Sequence, residues 1–261
     1  MQPPKISIVT PSLNQGEFIE ETLLSVLSQN YPHLEYLVMD GGSSDNTLKV
    51  LEKYSDRIRW ISEADEGQTN AINKGLRLTD GAIVGYLNAD DILLPGALWK
   101  VADAFLRHPD AMWAIGKCRI VDEKNNEIRR AVTRYKNLLL RMGGFPLLVM
   151  TNYISQPSTF WRREALETVG FLDENLHYVM DYDYWLRLYS QYSPIFIAEY
   201  LADFKIHPSS KTTSMGHMET YIEEEKRVIR RYTNSLWLLL LHDFHRLFMT
   251  MTYSIINRKD T

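Results

Sequence analysis

The first 90 residues alternate short apolar runs with segments whose apolar residues recur at helical spacing. The four runs are bounded by turn-forming residues and cover 6–9, 36–39, 58–61 and 83–87. Short, nearly continuous apolar runs are typical of strands that are buried on both faces of a parallel sheet. The helical segments cover 17–29, 46–54 and 68–78. This order predicts an α/β fold in which helices flank an open, mostly parallel sheet.

A polar loop follows each of the four predicted strands. The loops cover 10–14, 40–45, 63–67 and 88–91. Open parallel sheets bind ligands beyond the carboxyl ends of their strands, so we expect the four loops to line one rim. Gly41 and Gly42 would let the backbone approach a ligand closely. Ser43, Ser44 and Asp45 have a simpler alternative role, which is to cap the helix that follows them.

Asp90 and Asp91 are adjacent acids that follow the fourth apolar run. Burying such a pair is costly unless a positive group lies beside it. A divalent cation that also binds substrate phosphates would supply that group. The alternative is that one of the two acids caps the helix that begins near Pro95 and Gly96. The motif alone leaves both interpretations open, and the first predicts a phosphate-bearing substrate.

Composition and motifs narrow the function classes. A net charge of -4 and a pI near 6.0 argue against a general nucleic-acid-binding protein. The single cysteine, Cys118, cannot form an internal disulfide. Neither a GxGxxG motif after the first run nor a P-loop motif occurs, so these two nucleotide-binding classes lose their main support. The N-terminal residues lack the pattern of a secretory signal, and we expect cytoplasmic localisation.

The second half of the chain is less regular. We expect a helix over 96–107, two short strands around Gly116 within 112–121, and a hairpin turn at 123–126. Residues 131–153 contain helical pieces with a break at Gly143 and Gly144. The remaining expected elements are an extended segment at 155–161, helices at 163–169 and 181–192, and strands near 195–198 and 204–206.

Five segments, taken as a set, resemble the inverting nucleotide-sugar glycosyltransferases of family two, which have the GT-A fold. They occur in the family's order and are ISIVTPSLN (6–14), VMDGGSSDNT (38–47), SEADEG (62–67) with NKG (73–75), GYLNADD (85–91) and DYDYWLRL (181–188). The resemblance implies a sugar donor activated by a nucleoside diphosphate, most often UDP, a magnesium or manganese ion, and transfer with inversion at the anomeric carbon. It also implies a GT-A catalytic domain over 1–215, with a nucleotide-sugar-binding half at 1–116 and an acceptor half at 117–215. A C-terminal helical extension would then cover 216–261.

The resemblance assigns roles to single residues. The donor-binding residues that it implies are Thr10, Pro11, Asn14, Asp40, Gly41, Asp65, Lys74, Asn88 and Asp90. The metal ligands that it implies are Asp90, Asp91 and His207, with Ser210 and Lys211 as further candidates for phosphate contact. Two of these residues have a simpler alternative role. Lys74 could be a solvated lysine at a helix end, and His207 could be a loop histidine whose ring bonds only to neighbouring protein groups.

Two positions depart from the family's pattern. Asn88 stands where relatives often have an aspartate, and its amide offers a carbonyl oxygen but no charge. Met180 stands where many relatives have an acid. These departures predict that metal binding is weaker, or that it rests on Asp90, Asp91 and a later residue.

Inverting transfer requires a general base that takes the proton of the acceptor hydroxyl. If 181–192 is helical, Asp183 lies one turn before Arg187 and can pair with it, which gives Asp183 a structural role that Asp181 lacks. We therefore assign the base to Asp181, the position that the resemblance also favours, with Asp183 as the second choice. Four aromatic residues are candidates either for stacking on an acceptor sugar or for packing: Trp161, Tyr178, Tyr182 and Trp185.

The C-terminal segment has two parts. The charged residues between 223 and 231 predict a solvated helix face. Residues 236–256 are apolar but interrupted by charged residues, so we do not expect this segment to span a membrane. It predicts an amphipathic helix with an apolar stripe of Trp237, Leu241, Phe244, Phe248, Met251 and Ile255.

Three interpretations of this stripe are open. We favour packing on the catalytic domain over a homodimer helix and over peripheral contact with the inner face of the membrane, where lipid-linked acceptors are assembled.

The leading hypothesis is a glycosyltransferase that transfers a sugar, expected from a UDP donor, to a saccharide or lipid-linked acceptor in surface polysaccharide biosynthesis. A sugar-phosphate nucleotidyltransferase is disfavoured, because no glycine-rich loop with lysine and arginine follows the first strand. A non-catalytic nucleotide-sugar-binding module is the third hypothesis. Asn88 leaves room for such a module, and Asp181 argues against it.

Overall fold

The computed structural model describes residues 2–210 and 218–257, with side chains described as far as Leu247. The predicted boundary between 215 and 216 lies outside these residues, and so do Lys211 and the side chains of Phe248, Met251 and Ile255. The strands are β1 Ile6–Ser12, β2 Leu34–Asp40, β3 Arg59–Ser62, β4 Ile83–Tyr86, β5 Ile92–Leu93, β6 Trp113–Val121, β7 Thr159–Arg162 and β8 Ile195–Lys205. The helices are α1 Ile19–Leu27, α2 Thr47–Lys53, α3 Gln68–Leu78, α4 Ala97–Arg107, α5 Arg130–Met142, α6 Phe145–Met150, α7 Ala165–Val169, α8 Met180–Gln191, α9 Met218–Ile229 and α10 Leu236–Asn257.

The described strands form one sheet in the order β3-β2-β1-β4-β7-β6-β8-β5. The first four in this order are mutually parallel, as the alternation of strands and helices predicts. β7 runs antiparallel to both β4 and β6, whereas β8 is parallel to β6, and β5 pairs antiparallel with β8. The predicted α/β class with an open sheet flanked by helices is therefore confirmed. The sheet, expected to be mostly parallel, is parallel in four of its described strand pairings and antiparallel in three.

Each face of the sheet carries its own apolar core because neighbouring strand residues point to opposite faces. Val9 packs in one core with residues of α3, α5, α6, α7, α8 and α9. Ile8, the residue before it, packs in the other core with residues of α1, α2 and α4. The helices that follow β1 to β4 thus cover both faces, and the loops between strand and helix remain at the carboxyl edge.

Three predicted elements differ from the structure. Residues 113–121 form one strand, not two, because the register shifts between Gly116 and Cys118 without interrupting the pairing with β8. A side chain at Gly116 would lie 2.4 Å from Leu201 Cδ1, so the glycine allows the close approach of β8. Residues 195–205 likewise form one strand. The expected extended segment at 155–161 begins with a 3-10 turn, Gln156–Ser158.

The prediction of a solvated face between 223 and 231 is wrong in part. Glu224 and Glu225 are each only 5% exposed, and Val228 and Ile229 are fully buried. The charged run suggests solvent exposure because acidic side chains rarely occur in a core without partners. Here the partners are provided by segments that are distant in sequence, as described below.

Helix α10 packs on the domain through the face opposite to the predicted apolar stripe. His242 is 4% exposed and its Nδ1 lies 3.0 Å from the carbonyl oxygen of Met150. Trp237 and Phe244, in contrast, are 79% and 71% exposed. The expectation that the stripe packs on the domain is therefore wrong for its described residues. Among the described helices, none combines the length and the apolar character needed to cross a membrane.

Candidate functional site

The loops after β1 and β2 are joined by hydrogen bonds at the carboxyl edge of the sheet. The backbone N–H of Asn14 donates to Ser43 Oγ at 2.7 Å, and the backbone N–H of Ser44 donates to Asn14 Oδ1 at 2.9 Å. Asn14 adopts a positive φ of 53°, a conformation that asparagine tolerates better than most residues. The structure thus brings together the first two predicted loops.

Asp40 is 1% exposed and organises the loop that follows β2. Its Oδ2 accepts hydrogen bonds from the backbone N–H of Ser43 at 2.9 Å and from Ser62 Oγ at 2.6 Å. The Ser43 hydroxyl donates to Oδ1. A buried carboxylate requires such donors. Asp40 therefore connects its own loop to the end of β3, and the donor-binding role remains a prediction.

Asp65 lies against Gly41, which extends the rim to the third loop. A Cβ atom at Gly41 would lie 2.6 Å from Asp65 Oδ2, so any larger residue would displace the carboxylate. Asp65 Oδ1 accepts the N–H of Gly67 at 2.8 Å, directly before α3. On α3, Lys74 Nζ lies 2.9 Å from Glu63 Oε1. The pairing raises the pKa of Lys74 and keeps it positively charged at this edge.

Thr10 and Pro11 lie within β1 and are buried. The Thr10 hydroxyl lies 3.0 Å from the Tyr36 hydroxyl on the neighbouring strand. Both residues thus support the strand whose loop reaches the rim, and their predicted role in donor binding stays a prediction.

Asn88 lies at the centre of a network of three side-chain amides. Gln68 Nε2 donates to Asn88 Oδ1 at 2.8 Å, and Asn88 Nδ2 lies 3.3 Å from Gln156 Oε1. Gln156 Nε2 in turn donates to the carbonyl oxygen of Tyr86 at 2.5 Å. Neither glutamine is singled out by the motifs of the sequence. Gln68 could have been found from its position at the start of a helix that follows a predicted rim loop, whereas Gln156 carries no comparable signal.

Asp91 is fully buried and holds the loop at 88–91, the acid loop, in place. Its Oδ1 accepts the backbone N–H of Lys205 at 3.0 Å, and Asn88 Nδ2 lies 3.2 Å from its Oδ2. Burial, together with the charge of Asp90, raises the pKa of Asp91 well above its ordinary value. Both oxygens are therefore engaged inside the protein.

Asp90 and His207 form a pair that could hold a metal ion. Asp90 Oδ2 lies 3.1 Å from His207 Nε2, and the imidazole ring stacks on Phe18 with centroids 4.1 Å apart. Within the part of the chain that the structure describes, no three His, Cys, Asp or Glu side chains form a group able to hold a metal ion. The predicted set of Asp90, Asp91 and His207 is thus brought together only in part. Magnesium often binds to one or two carboxylates together with substrate phosphates, so the Asp90–His207 pair fits a cation that arrives with a diphosphate.

Asp183 and Asp181 have different surroundings in the first turn of α8. Asp183 is fully buried, with Oδ2 at 2.9 Å from Arg187 Nε and Oδ1 at 3.0 Å from Arg231 Nη1. The predicted pair with Arg187 is confirmed. Asp181 is half-buried and accepts the N–H of Tyr182 at 2.7 Å. Burial raises the pKa of Asp181, and the charge of Lys136 on α5 opposes this rise.

Asp181 lies near the same strand end as the acid loop. Burial raises the pKa of the Tyr86 hydroxyl on β4, and the charges of Asp181 and Asp91 add to the rise. Both carboxylates therefore lie within electrostatic reach of one side chain at the end of β4.

The aromatic candidates mostly belong to the core. Trp161, Tyr182 and Trp185 are at most 1% exposed. Trp185 stacks on Trp113 with centroids 6.1 Å apart, and the Tyr182 hydroxyl donates to the carbonyl oxygen of Leu148 at 2.7 Å. Packing is therefore their role in this structure. Tyr178 is half-buried and remains a candidate for acceptor contact.

We expect Asp183→Asn to lower the free energy of unfolding by about 1.5–3 kcal/mol, because it removes the charged hydrogen-bond partner of two arginines. Partial exposure of both arginines keeps the loss below that of a fully buried pair. Denaturant unfolding measures the change, with Asp181→Asn as the matched control. A variant Asp183→Asn that keeps full stability but loses transfer would instead identify Asp183 as the base.

Comparisons with known proteins bear on the family and the fold of this chain. The family model described as Glycosyl transferase family 2 matches residues 7–170. An uncharacterized glycosyltransferase of Rickettsia prowazekii is 26% identical over 251 residues, which cover 93% of this chain and 77% of that protein. A chondroitin synthase of Escherichia coli is 28% identical over 188 residues, covering 71% of this chain and 26% of that protein.

Two solved structures share the fold. TarS 1-349 of S. aureus, in complex with UDP-GlcNAc, has a TM-score of 0.67 at 20% identity and covers 86% of this chain. The mannosyltransferase PcManGT of Pyrobaculum calidifontis, in complex with GDP-Man and Mn2+, has a TM-score of 0.68 at 19% identity, covering 92% of this chain and 68% of that one. This chain spans 39% to 65% of the matched TarS chains. Likeness at this level of identity shows the GT-A fold.

Proposed function

Because the chain belongs to glycosyl transferase family 2, we propose that it transfers a sugar from a nucleoside-diphosphate donor to a hydroxyl group of a saccharide or lipid-linked saccharide, with inversion. The observation that carries this proposal is the arrangement of the rim, where the loops after β1 and β2 are hydrogen-bonded to each other and the Asp90–His207 pair lies at the loop after β4. Such a rim at the carboxyl edge is the usual ligand site of an open parallel sheet.

The donor side of the proposal rests on residues of the rim and on the relatives. The groups that would contact the nucleotide and its phosphates are Asp65, Lys74, Asn14 and the Gly41 backbone. Asp40 holds the loop of Gly41 in place. TarS binds UDP-GlcNAc and PcManGT binds GDP-Man, which supports a nucleotide-sugar donor. We place UDP first among the nucleotides, as the sequence resemblance implies, and surface polysaccharide synthesis as the setting, which the likeness to chondroitin synthase supports.

Asp90 and His207 are the protein groups that we propose as ligands of Mg2+ or Mn2+. PcManGT was solved with Mn2+, which supports a metal in this family. When bound, the ion would neutralise negative charge on the departing diphosphate. Asp91, also predicted as a ligand, would act by holding the loop through Lys205 and Asn88.

Asp181 is the proposed general base. As the acceptor oxygen attacks the anomeric carbon on the face opposite the diphosphate, its proton passes to the Asp181 carboxylate. The new bond joins the acceptor oxygen to the anomeric carbon, and the bond from that carbon to the phosphate oxygen breaks with its electron pair on the diphosphate. The configuration at the anomeric carbon is therefore inverted.

The decisive experiment offers the protein UDP-GlcNAc, UDP-glucose, UDP-galactose and GDP-mannose with Mn2+ and follows release of the nucleoside diphosphate. We expect turnover with at least one donor, in transfer to water or to an added saccharide. Asp90→Asn should raise the Mn2+ concentration required for half-maximal turnover without unfolding the protein. Binding of a donor without any turnover would favour the alternative of a non-catalytic nucleotide-sugar-binding module.

Replacing the proposed base separates binding from chemistry. We expect Asp181→Asn to keep the Kd for the donor and to lower kcat by about 10²–10⁴-fold, the range typical of a lost general base. Isothermal titration and turnover measurements provide the two readouts. Retained transfer would show that another residue acts as the base.

The raised pKa of Asp181 predicts the pH dependence of turnover. A base must be ionised, so kcat falls as pH drops through the pKa of the folded protein, which lies above the ordinary aspartate value of 3.8. Because the charge of Lys136 lowers this pKa, Lys136→Gln should move the acidic limb of the profile to higher pH. Lys124→Gln, in the turn after β6, is the control. A limb that does not move would show that the charge of Lys136 does not act on the base.

Helix α10 carries the predicted peripheral membrane contact. Its outward side exposes large apolar residues, which are Leu236, Trp237, Leu240, Leu241, Phe244 and Leu247. We expect Trp237→Gln/Phe244→Gln to reduce co-sedimentation with vesicles of phosphatidylethanolamine and phosphatidylglycerol, since apolar area on an amphipathic helix drives interfacial binding. Leu138→Gln, which changes an exposed leucine of α5, is the control. If the double variant instead converts a dimer to a monomer in light scattering, the homodimer interpretation is correct.

A further inference from the structure

Glu224 of α9 is a buried acid whose carboxylate is bound by the backbone just before α8. Its Oε1 accepts the N–H of His177 at 2.9 Å, and its Oε2 accepts the N–H groups of Tyr178 at 2.8 Å and Val179 at 3.3 Å. The side chain is 5% exposed. Three consecutive amides therefore converge on one carboxylate from a helix about 45 residues further along the chain.

These amides belong to the segment that leads into α8, and the N-cap residue of that helix makes no side-chain capping hydrogen bond. Helix α8 begins at Met180, and its N-cap residue, Val179, has no side chain that can accept a hydrogen bond. The first N–H groups of a helix have no partner within the helix and need an outside acceptor. A negative charge is also favourable at this end because of the helix dipole. Glu224 accepts the N–H of the N-cap residue Val179 and places its negative charge beside this helix end, while its other two donors, His177 and Tyr178, lie just before the helix.

A second contact from the same C-terminal segment reaches the first turn of α8 from its other side. Arg231, two residues after the end of α9, places Nη1 at 3.0 Å from Asp183 Oδ1 and Nη2 at 3.2 Å from Asp173 Oδ2. Glu224 thus binds the residues up to Val179, and Arg231 binds Asp183. Asp181 lies between these two attachment points.

We propose that Glu224 and Arg231 are positioning residues that fix the orientation of Asp181, so that α9 belongs to the catalytic machinery although it follows the family match at 7–170. The inference rests on the proposed function of Asp181 as the base. Neither residue touches the reacting atoms. Each acts through the backbone or side chains of the helical turn that carries the base.

Three adjacent glutamates offer a matched series for the test. Glu223 is exposed, Glu224 binds the start of α8, and Glu225 is buried but lies 3.2 Å from His242 Nε2 and accepts the Tyr221 hydroxyl. Glu223→Gln controls for a charge change on α9. Glu225→Gln controls for the loss of a buried acid whose partners are Tyr221 and His242 and not the backbone that leads into α8.

We expect Glu224→Gln to lower kcat about tenfold with the donor that turns over in the panel, while the KM for that donor changes less than twofold. The two control variants should retain the kcat of the unaltered protein. Amides of 177–183 should exchange with deuterium faster in Glu224→Gln than in either control, as measured by mass spectrometry. Arg231→Gln, which removes the second attachment, should show the same division between kcat and KM.

The outcomes separate the positioning role from the proposed function. If the unaltered protein turns over a donor but Glu224→Gln and Arg231→Gln match Glu223→Gln in kcat, the positioning role is wrong and the proposed function stands. Equal losses in kcat for Glu224→Gln and Glu225→Gln would also overturn it, because general destabilisation would then explain both. If the unaltered protein turns over none of the donors, the proposed function fails and the positioning role fails with it.

Discussion

The buried carboxylate of Asp91 is the interaction on which the candidate site depends most. It accepts the N–H of Lys205 at the end of β8. The backbone carbonyl oxygen of Asp91 accepts the Thr22 hydroxyl on α1 at 2.8 Å. A buried carboxylate is costly unless its oxygens are satisfied, so this arrangement constrains three separate elements at once. It fixes the loop after β4 to the strand that leads into His207. The approach of Asp90 to His207 therefore depends on a residue that itself faces inward.

Asn88 stands where members of the family often have an aspartate. Its amide is chemically suited to this arrangement, which gives a physical reason for the departure. Its amide nitrogen faces Asp91 Oδ2 and Gln156 Oε1, two acceptors, while its oxygen accepts from Gln68. An aspartate has no N–H group to offer and would add a third negative charge beside Asp90 and Asp91. The glutamines at 68 and 156 and the asparagine at 88 therefore form one unit, which replaces a charged group by a neutral network.

The sequence predicts those features that are set by short-range patterns. The span of α3 and the four parallel strands follow from periodicity, and the Asp183–Arg187 pair follows from helical spacing. The approach of the rim loops follows from the rule for parallel sheets. Contacts between distant segments were not predictable, because nothing near Glu224 indicates that its partners are the amides of 177–179. A charged run is usually solvated, and the alternative becomes visible only in the fold, where the backbone N–H groups of 177–179 bind Glu224. The outward face of α10 was missed for a related reason, since the partners of its His242 side chain are Met150 and Glu225.

The two acids of the first turn of α8 show how surroundings divide similar residues between structure and chemistry. Asp183 lies between two guanidinium groups, and each of its oxygens takes part in a charged hydrogen bond. Asp181 is half-buried, and burial raises its pKa towards the range in which a carboxylate can accept a proton and release it again. These opposite properties occur two residues apart because the helix directs the side chains to different sides. One of the two arginines that bind Asp183, Arg231, comes from the C-terminal segment. The family match covers 7–170, so α8 itself lies beyond it. The division of roles within α8 is completed by a residue that lies further still along the chain.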